Sequence, residues 1–250
     1  MKPKKAFILS GIFLAIAVVF SVVVSRVNVR PVEMESDCPS SEISDNDSSC
    51  TEEETKPVGL ATLNESVRSL FSYDKNGINQ FWYKFTNISG AFCVLPAVYF
   101  GCLGLYEVVK RKSLKKVDLE LKLLAVFYIV VVAVYFIFDH LIIVNYRPTS
   151  PLEPSYPSSH TLFAITICGS AILILRRLYK NKKSATLARM FLAVLIIATV
   201  FGRLLAGVHW YTDILGGIFI SIFLLSAFYT ALVSLEPKNK PANSTPLAKS

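Results

Sequence analysis

Three short polar groups interrupt a very apolar sequence and carry side chains that could do chemistry. The first runs from His140 to Pro148, the second from Pro157 to His160, and the third from Gly202 to Asp213. All three histidines of the chain fall within these groups. Because an ionisable residue within an apolar segment is costly to keep, such residues predict a functional site.

Four of these side chains are suited to holding a phosphate. Arg147 and Arg203 can make planar, bidentate contacts to phosphate oxygens. Ser158 and Ser159 follow Pro157 at a predicted helix start, where hydroxyls and unpaired backbone N–H groups favour an anion. Each feature alone has a simpler explanation, since arginines snorkel at span ends and serines cap helices.

The histidines and an aspartate supply the groups for phosphoryl transfer. His209 and Asp213 are four residues apart and share one face of a helix, so Asp213 could orient the ring while His209 attacks phosphorus. His160 could protonate the leaving oxygen near neutral pH. Taken alone, the His209–Asp213 pair is more often a structural hydrogen bond, and the combination with the arginines is what predicts catalysis.

The elements that must position these groups are membrane spans. The chain has 250 residues, of which 53% are apolar and 18% charged, and a span needs about 20 apolar residues. Six segments qualify: Ala6–Ser25, Ile88–Val109, Leu119–Val144, Thr161–Leu178, Met190–Val208 and Asp213–Leu235. The sequence therefore predicts an all-α, polytopic membrane helix bundle with about six transmembrane helices.

Charge predicts the orientation of this bundle. With the N-terminus inside, most of the 26 Lys and Arg residues fall in inside segments and most of the 18 Asp and Glu residues fall outside. This is a positive-inside distribution, which predicts both termini inside and the three polar groups at the outer face. The net charge of +8 is thereby explained by topology, and we predict no nucleic-acid partner.

The remaining segments predict the following organisation. Residues 1–25 are an uncleaved signal anchor, and 26–59 form an acidic, disordered outer loop in which Cys38 and Cys50 are either bridged or free. Residues 60–87 are an outer amphipathic segment at the interface or a simple lead-in to the second span. Residues 88–235 are the transmembrane core, and 236–250 are a polar cytoplasmic tail.

The three polar groups together resemble the type 2 phosphatidic acid phosphatase superfamily of integral membrane lipid phosphatases. That family carries Lys-x6-Arg-Pro, Pro-Ser-Gly-His and Ser-Arg-x5-His-x3-Asp. The corresponding stretches here are His140-x6-Arg147-Pro148, Pro157-Ser158-Ser159-His160 and Gly202-Arg203-x5-His209-x3-Asp213. The resemblance covers roughly Leu119–Leu235.

The resemblance implies a role for each matching residue. His209 would form a phosphohistidine with Asp213 orienting it, and His160 would protonate the leaving group and then activate water. The phosphate would be held by Arg147, Arg203, Ser158, Ser159 and, at the position of the family lysine, His140. The family uses no metal or other cofactor, and its partners are a lipid phosphate and the bilayer of the cell membrane.

Three residues depart from the family pattern: His140 replaces Lys, Ser159 replaces Gly and Gly202 replaces Ser. These changes predict an altered rate or substrate preference in an active enzyme. Undecaprenyl pyrophosphate, phosphatidylglycerol phosphate and phosphatidic acid are the candidate substrates.

Other functions use some of the same residues. A lipid phosphotransferase would use the same site with a different acceptor, and a lipid-phosphate binder or transporter would share the arginines. A metal hydrolase using His160, His209, Asp213 and Glu153 has suitable ligands, but the arginines would place positive charge beside its metal.

Overall fold

A computed structural model describes residues 3–32, 56–71, 77–149 and 153–234 of the chain. Its helices are α1 (Pro3–Arg26), α2 (Ala61–Leu70), α3 (Ile78–Arg111), α4 (Leu119–Phe136), α5 (Ser159–Phe163), α6 (Gly169–Leu178), α7 (Lys183–Ala206) and α8 (Tyr211–Ser234). A π-helical turn, Ile137–Leu141, continues α4, and another, Ala164–Cys168, joins α5 to α6.

Six of the continuous helical segments are long and apolar enough to cross a membrane. The predicted all-α polytopic bundle is therefore confirmed, and the protein is an integral membrane protein. The outward faces of its helices carry large apolar side chains such as Val22, Ile129 and Val194, which are suited to contact with lipid tails rather than water.

The fourth span, Ser159–Leu178, lies at the centre of the bundle. Its most apolar window is 56% buried, against 17–39% for the other spans. Polar residues on it, such as Thr166 and Ser170, are therefore surrounded by other helices and not by lipid. Around it, α1 packs along α8, and α3 packs along α7.

Several span ends differ from the predicted ones. The second spanning helix begins at Ile78 rather than Ile88, so the aromatic residues of the predicted interfacial segment belong to α3. The third ends at Leu141, after which residues 142–145 belong to no helix or strand, and the fifth covers Lys183–Ala206. The sequence did not predict the true start of α3, because aromatic and polar residues interrupt the apolar run there while the helix continues through them.

A short antiparallel ribbon lies between α1 and α2 in the chain. Strand β1 (Arg30–Val32) pairs with β2 (Lys56–Val58), and Val32 lies opposite Lys56. The chain between these strands, with Cys38 and Cys50, lies outside the described residues, as does the tail from residue 235. The ribbon leads into α2, which contacts the start of α8.

The two ends of the bundle differ in character. At one end the basic connections between α3 and α4 and between α6 and α7 lie together, since Arg177 Nε is 3.1 Å from Glu120 Oε1. The three polar groups meet at the other end. The structure thus separates the basic loops from the candidate site by the length of the bundle.

Candidate active site

His160 on α5 and Arg203 on α7 form a pair in which Arg203 is buried and His160 is partly buried. Nη2 of Arg203 lies 2.7 Å from Nδ1 of His160. A guanidinium can only donate hydrogen bonds, so Nδ1 is the accepting nitrogen. A proton carried by the neutral ring therefore resides on Nε2. Delivery of a proton to a leaving group requires the imidazolium, in which Nδ1 is protonated as well and cannot accept from Arg203.

Arg203 is held in place by α3. Its Nη1 donates to Thr86 Oγ1 at 3.2 Å and to Asn87 Oδ1 at 3.3 Å, and its guanidinium lies 5.8 Å from the ring centre of Tyr83. Arg203 itself is only 3% exposed. The sequence motifs did not identify these α3 partners, because Thr86 and Asn87 lie in what looked like a polar lead-in.

Two glycines allow α3 to approach the pair. A Cβ added to Gly90 would lie 2.7 Å from Cδ2 of His160, and one added to Gly202 would lie 2.5 Å from Cγ2 of Thr86. The departure at Gly202 thus has a structural reason, since a serine there would collide with Thr86. The hydroxyl beside Arg203 comes instead from Thr86 itself.

His209 lies in the turn between α7 and α8, beside Asp213. Gly207 ends α7 with a φ of 70°, a conformation that favours glycine, and the turn then directs His209 inward. Nδ1 of His209 lies 3.8 Å from Oδ2 of Asp213, which is beyond hydrogen-bond distance. Catalytic contacts often tighten when substrate binds, and this geometry leaves Nε2 as the ring nitrogen facing away from the carboxylate.

The electrostatics of His209 favour its neutral form. Burial lowers the pKa of His209 below its ordinary value, and the carboxylate of Asp213 acts in the opposite direction with a smaller effect. A neutral imidazole has a free lone pair, so His209 is chemically competent as a nucleophile at neutral pH.

The turn before α5 packs directly on α8. The backbone N–H of Ser158 donates to the carbonyl of Asp213 at 3.0 Å, so this N–H is already used within the protein. Tyr156 lies against Gly216, where an added Cβ would be 2.2 Å from its ring, and a cis peptide bond precedes Pro157. These contacts fix the position of the serines relative to Asp213.

Arg147 reaches the same region from the connection after α4. It lines a small polar pocket together with Ser159 and His209. Its Nη1 is 3.1 Å from Oε2 of Glu153, and its backbone N–H donates to the carbonyl of Glu153 at 2.9 Å. The arginine is thus held at the pocket by a neighbouring, half-exposed carboxylate.

The structure does not bring His140 into this cluster. Its ring stacks on Phe136 at 4.3 Å and its side chain is 53% exposed. The preceding residue, Asp139, lines the pocket instead. The π-helical turn at this point holds both residues and sets which of them faces the site.

Buried polar atoms without a protein partner concentrate in this site. Among the described residues they are Arg147 Nε, Ser155 Oγ, Ser158 Oγ, Thr161 Oγ1, Arg203 Nε and both ring nitrogens of His209. Buried polar atoms are normally paired, and an anion bound here would accept hydrogen bonds from the guanidinium and hydroxyl donors among them. The described part of the chain holds no group of three His, Cys, Asp or Glu side chains arranged to bind a metal ion.

Comparison with known proteins supports the sequence resemblance. The model of the PAP2 superfamily matches residues 135–235, the segment that holds all three motifs. The crystal structure of a transmembrane PAP2-type phosphatidylglycerolphosphate phosphatase from Bacillus subtilis matches with a TM-score of 0.55 and 16% identity, covering 72% of this chain and 89% of that one. Comparison with curated protein sequences gives no significant match. The resemblance to the type 2 phosphatidic acid phosphatase superfamily is therefore confirmed over this segment.

Proposed function

We propose that the protein is a membrane lipid phosphatase that hydrolyses a phosphate ester or pyrophosphate of a lipid through a phosphohistidine on His209. The observation that carries this proposal is the meeting of His209, Asp213, His160 and two arginines at one end of the bundle. The superfamily match and the activity named for the Bacillus subtilis protein support the same class of reaction.

In the first chemical step, Nε2 of His209 attacks phosphorus and the bond to the leaving oxygen breaks. His160 acts as the imidazolium: its Nε2 proton passes to that oxygen, which departs as a lipid alcohol or lipid monophosphate and leaves the ring neutral. Since Nδ1 also carries a proton in this form, Nη2 of Arg203 turns from Nδ1 to the phosphoryl oxygens. Asp213 stabilises the charge that develops on the His209 ring. Arg147, Arg203, Ser158 and Ser159 hold the phosphoryl oxygens, whose negative charge they balance.

In the second step, water attacks the phosphohistidine. His160 has lost its proton and now takes one from this water, so the P–N bond breaks and inorganic phosphate leaves with both histidines restored. The residues present complete this cycle with proton transfers and a covalent intermediate alone.

The distribution of charge supports an outward-facing site. The basic connections lie at the end of the bundle opposite the histidines, and basic loops face the cytoplasm by the positive-inside rule. We place the protein in the plasma membrane with the site at the outer headgroups. Undecaprenyl pyrophosphate, phosphatidylglycerol phosphate and phosphatidic acid are the substrates to compare.

The experiment is phosphate release by purified protein in detergent from each of these three lipids, with EDTA present. His209→Ala should abolish release, whereas Thr230→Ala, at the far end of α8, should preserve it. Release by His209→Ala at the wild-type rate, or no release by well-folded wild type, would exclude the proposed function. The ranking of the three lipids identifies the headgroup preference.

A further inference from the structure

The ribbon and α2 connect to the candidate site through a buried network of amides. Gly59, the residue after β2, donates its N–H to Oδ1 of Asn145 at 2.9 Å and accepts from Nδ2 of Asn64 at 2.9 Å. Asn64 and Asn145 are 1% and 0% exposed. Asn64 lies outside the three motifs, and Asn145 occupies an unspecified position of the first motif. Buried amides of this kind need a full set of partners.

The orientation of the Asn145 amide is fixed by its partners. Because Oδ1 accepts from a backbone N–H, Nδ2 must be the group that faces α8. There Nδ2 donates to Oδ1 of Asp213 at 2.8 Å and to Oγ1 of Thr212 at 3.2 Å. Oδ2 of Asp213 accepts from the N–H of Trp210 at 3.0 Å, so the carboxylate is held at both oxygens.

Asn64 holds the first turn of α8 in a complementary way. Its Oδ1 accepts from the N–H of Thr212 at 3.1 Å, and its Nδ2 donates to Oγ1 of the same residue at 2.9 Å. Oγ1 of Thr212 thus accepts hydrogen bonds from Nδ2 of Asn64, on α2, and from Nδ2 of Asn145, in the connection after α4. The chain of contacts runs from Asn64 through Thr212 and Asn145 to Asp213.

Helix α2 also holds the turn that carries His209. Nη1 of Arg68 donates to the carbonyl of Gly207 at 2.9 Å, and its guanidinium lies 5.7 Å from the ring centre of Trp210. These contacts lie on either side of His209 in sequence. One short helix therefore contacts both the histidine turn and the residue next to its aspartate.

We propose that Asn145 and Asn64 are positioning residues for the His209–Asp213 pair, and that residues 56–70 belong to the catalytic apparatus through them. This inference rests on the proposed function. Asn145 directs Asp213 towards Nδ1 of His209, and Asn64 holds the start of α8 on which Asp213 lies. Neither side chain contacts the phosphate pocket, so both act on turnover and not on substrate binding.

The test compares kcat and KM of Asn145→Ala and Asn64→Ala with the wild type. Losing a hydrogen bond to a charged group costs about 10- to 100-fold, and we expect kcat of Asn145→Ala to fall by that factor with KM within about twofold. The kcat of Asn64→Ala should fall less than that of Asn145→Ala. The kcat of the double variant should fall by less than the product of the two single losses. Asn79→Ala is the matched control, since Asn79 is a buried asparagine that donates to Leu205 O at 2.7 Å.

Asn145→Asp separates positioning from general destabilisation. The new carboxylate would face Asp213, and two close carboxylates share a proton as pH falls. A protonated carboxyl at this position can donate to Asp213 again, so kcat should recover on acidification relative to Asn145→Ala. Melting temperatures of each variant, measured at neutral pH and at the acidic pH of the assay, check that the fold is retained.

Three results would overturn the positioning role without touching the proposed function. These are wild-type kcat in Asn145→Ala, a rise in KM at unchanged kcat, or an equal loss of kcat in Asn79→Ala. As a readout independent of turnover, NMR of ¹⁵N-histidine-labelled protein should show one tautomer of His209 in the wild type and a mixture in Asn145→Ala. An unchanged spectrum would also overturn it.

Discussion

The two histidines are distinguished by what each ring nitrogen contacts. Arg203 donates to His160, which forces the proton of the neutral ring onto the opposite nitrogen. His209 has a carboxylate beside Nδ1, which favours a proton there and a lone pair on Nε2. The neighbours therefore favour opposite tautomers of the two neutral rings, and the lone pair on Nε2 of His209 is the one that the proposed mechanism uses for attack.

Arg203 should not be replaceable by lysine. Its guanidinium reaches His160, Thr86 and Asn87 at once, and a lysine amine has neither the span nor the planar fork to do this. Arg203→Lys should lower kcat/KM by about 100-fold, corresponding to one or two lost charged hydrogen bonds. Steady-state assays on the preferred lipid measure this, and a change of less than threefold would contradict the role assigned to the fork.

The second prediction concerns pH. Burial lowers the pKa of His209, so the neutral nucleophile persists below the ordinary histidine value of about 6.5. As pH falls, the acid limb of the kcat/KM profile should therefore appear below about 6.5 and not at it. A pH–rate profile on a substrate whose phosphate does not titrate in that range checks this, and an acid limb centred above 6.5 would contradict it.

The motifs contain most, but not all, of the residues that the structure brings together in the candidate site. The spacing of charged residues located His209, Asp213, His160 and both arginines, because catalytic chemistry restricts residue type. It could not find Thr86 or Asn145, because their roles depend on which helices meet. His140 was predicted to bind phosphate, yet its ring lies outside the cluster on Phe136, and a π-helical turn cannot be recognised from sequence period alone.

Helix α3 lines the candidate site in addition to being long and apolar enough to span the membrane. Its N-terminal part supplies three partners of Arg203, and Gly90 leaves room for the His160 ring. The sequence predicted a shorter helix, because apolar runs show where lipid lies and not where the helix begins. The part that was missed is the part that contacts the site.

Gly90→Ala provides the element-scale prediction. The added methyl would lie 2.7 Å from the ring of His160, so the ring or the helix must shift, at a cost typical of overpacking of about 1–3 kcal/mol. We expect kcat to fall by about tenfold or more while the bundle still folds. Gly104→Ala is the control in the same helix, since a Cβ there meets no atom within 4 Å.

The measurement pairs kcat with melting temperature for both variants. Equal activity of Gly90→Ala and Gly104→Ala would show that His160 tolerates displacement. A loss of melting temperature without a loss of kcat would place the effect in helix packing alone.

For the whole molecule, the arrangement of charge predicts how the bundle lies in the membrane. The predicted six-span bundle is confirmed, and the basic loops lie opposite the site. In a background of Cys38→Ser and Cys50→Ser, an impermeant maleimide should label Glu153→Cys in intact cells. Lys115→Cys, in the basic connection after α3, should react only after permeabilisation. The reverse pattern would invert the proposed topology.

The ribbon formed by β1 and β2 bears on how freely the segment between the two strands can vary in sequence and length. Val32 and Lys56 are paired neighbours across an antiparallel ladder, so their Cα atoms lie about 5 Å apart. The 23 residues that separate them in sequence therefore begin and end at almost the same point in space. Because the ribbon fixes both ends of this segment, we expect changes in its length or sequence to leave the ribbon and the helices in place. Replacing residues 33–55 with a two-residue hairpin turn should leave turnover intact, which would make this position a natural place to graft an affinity tag or a reporter domain.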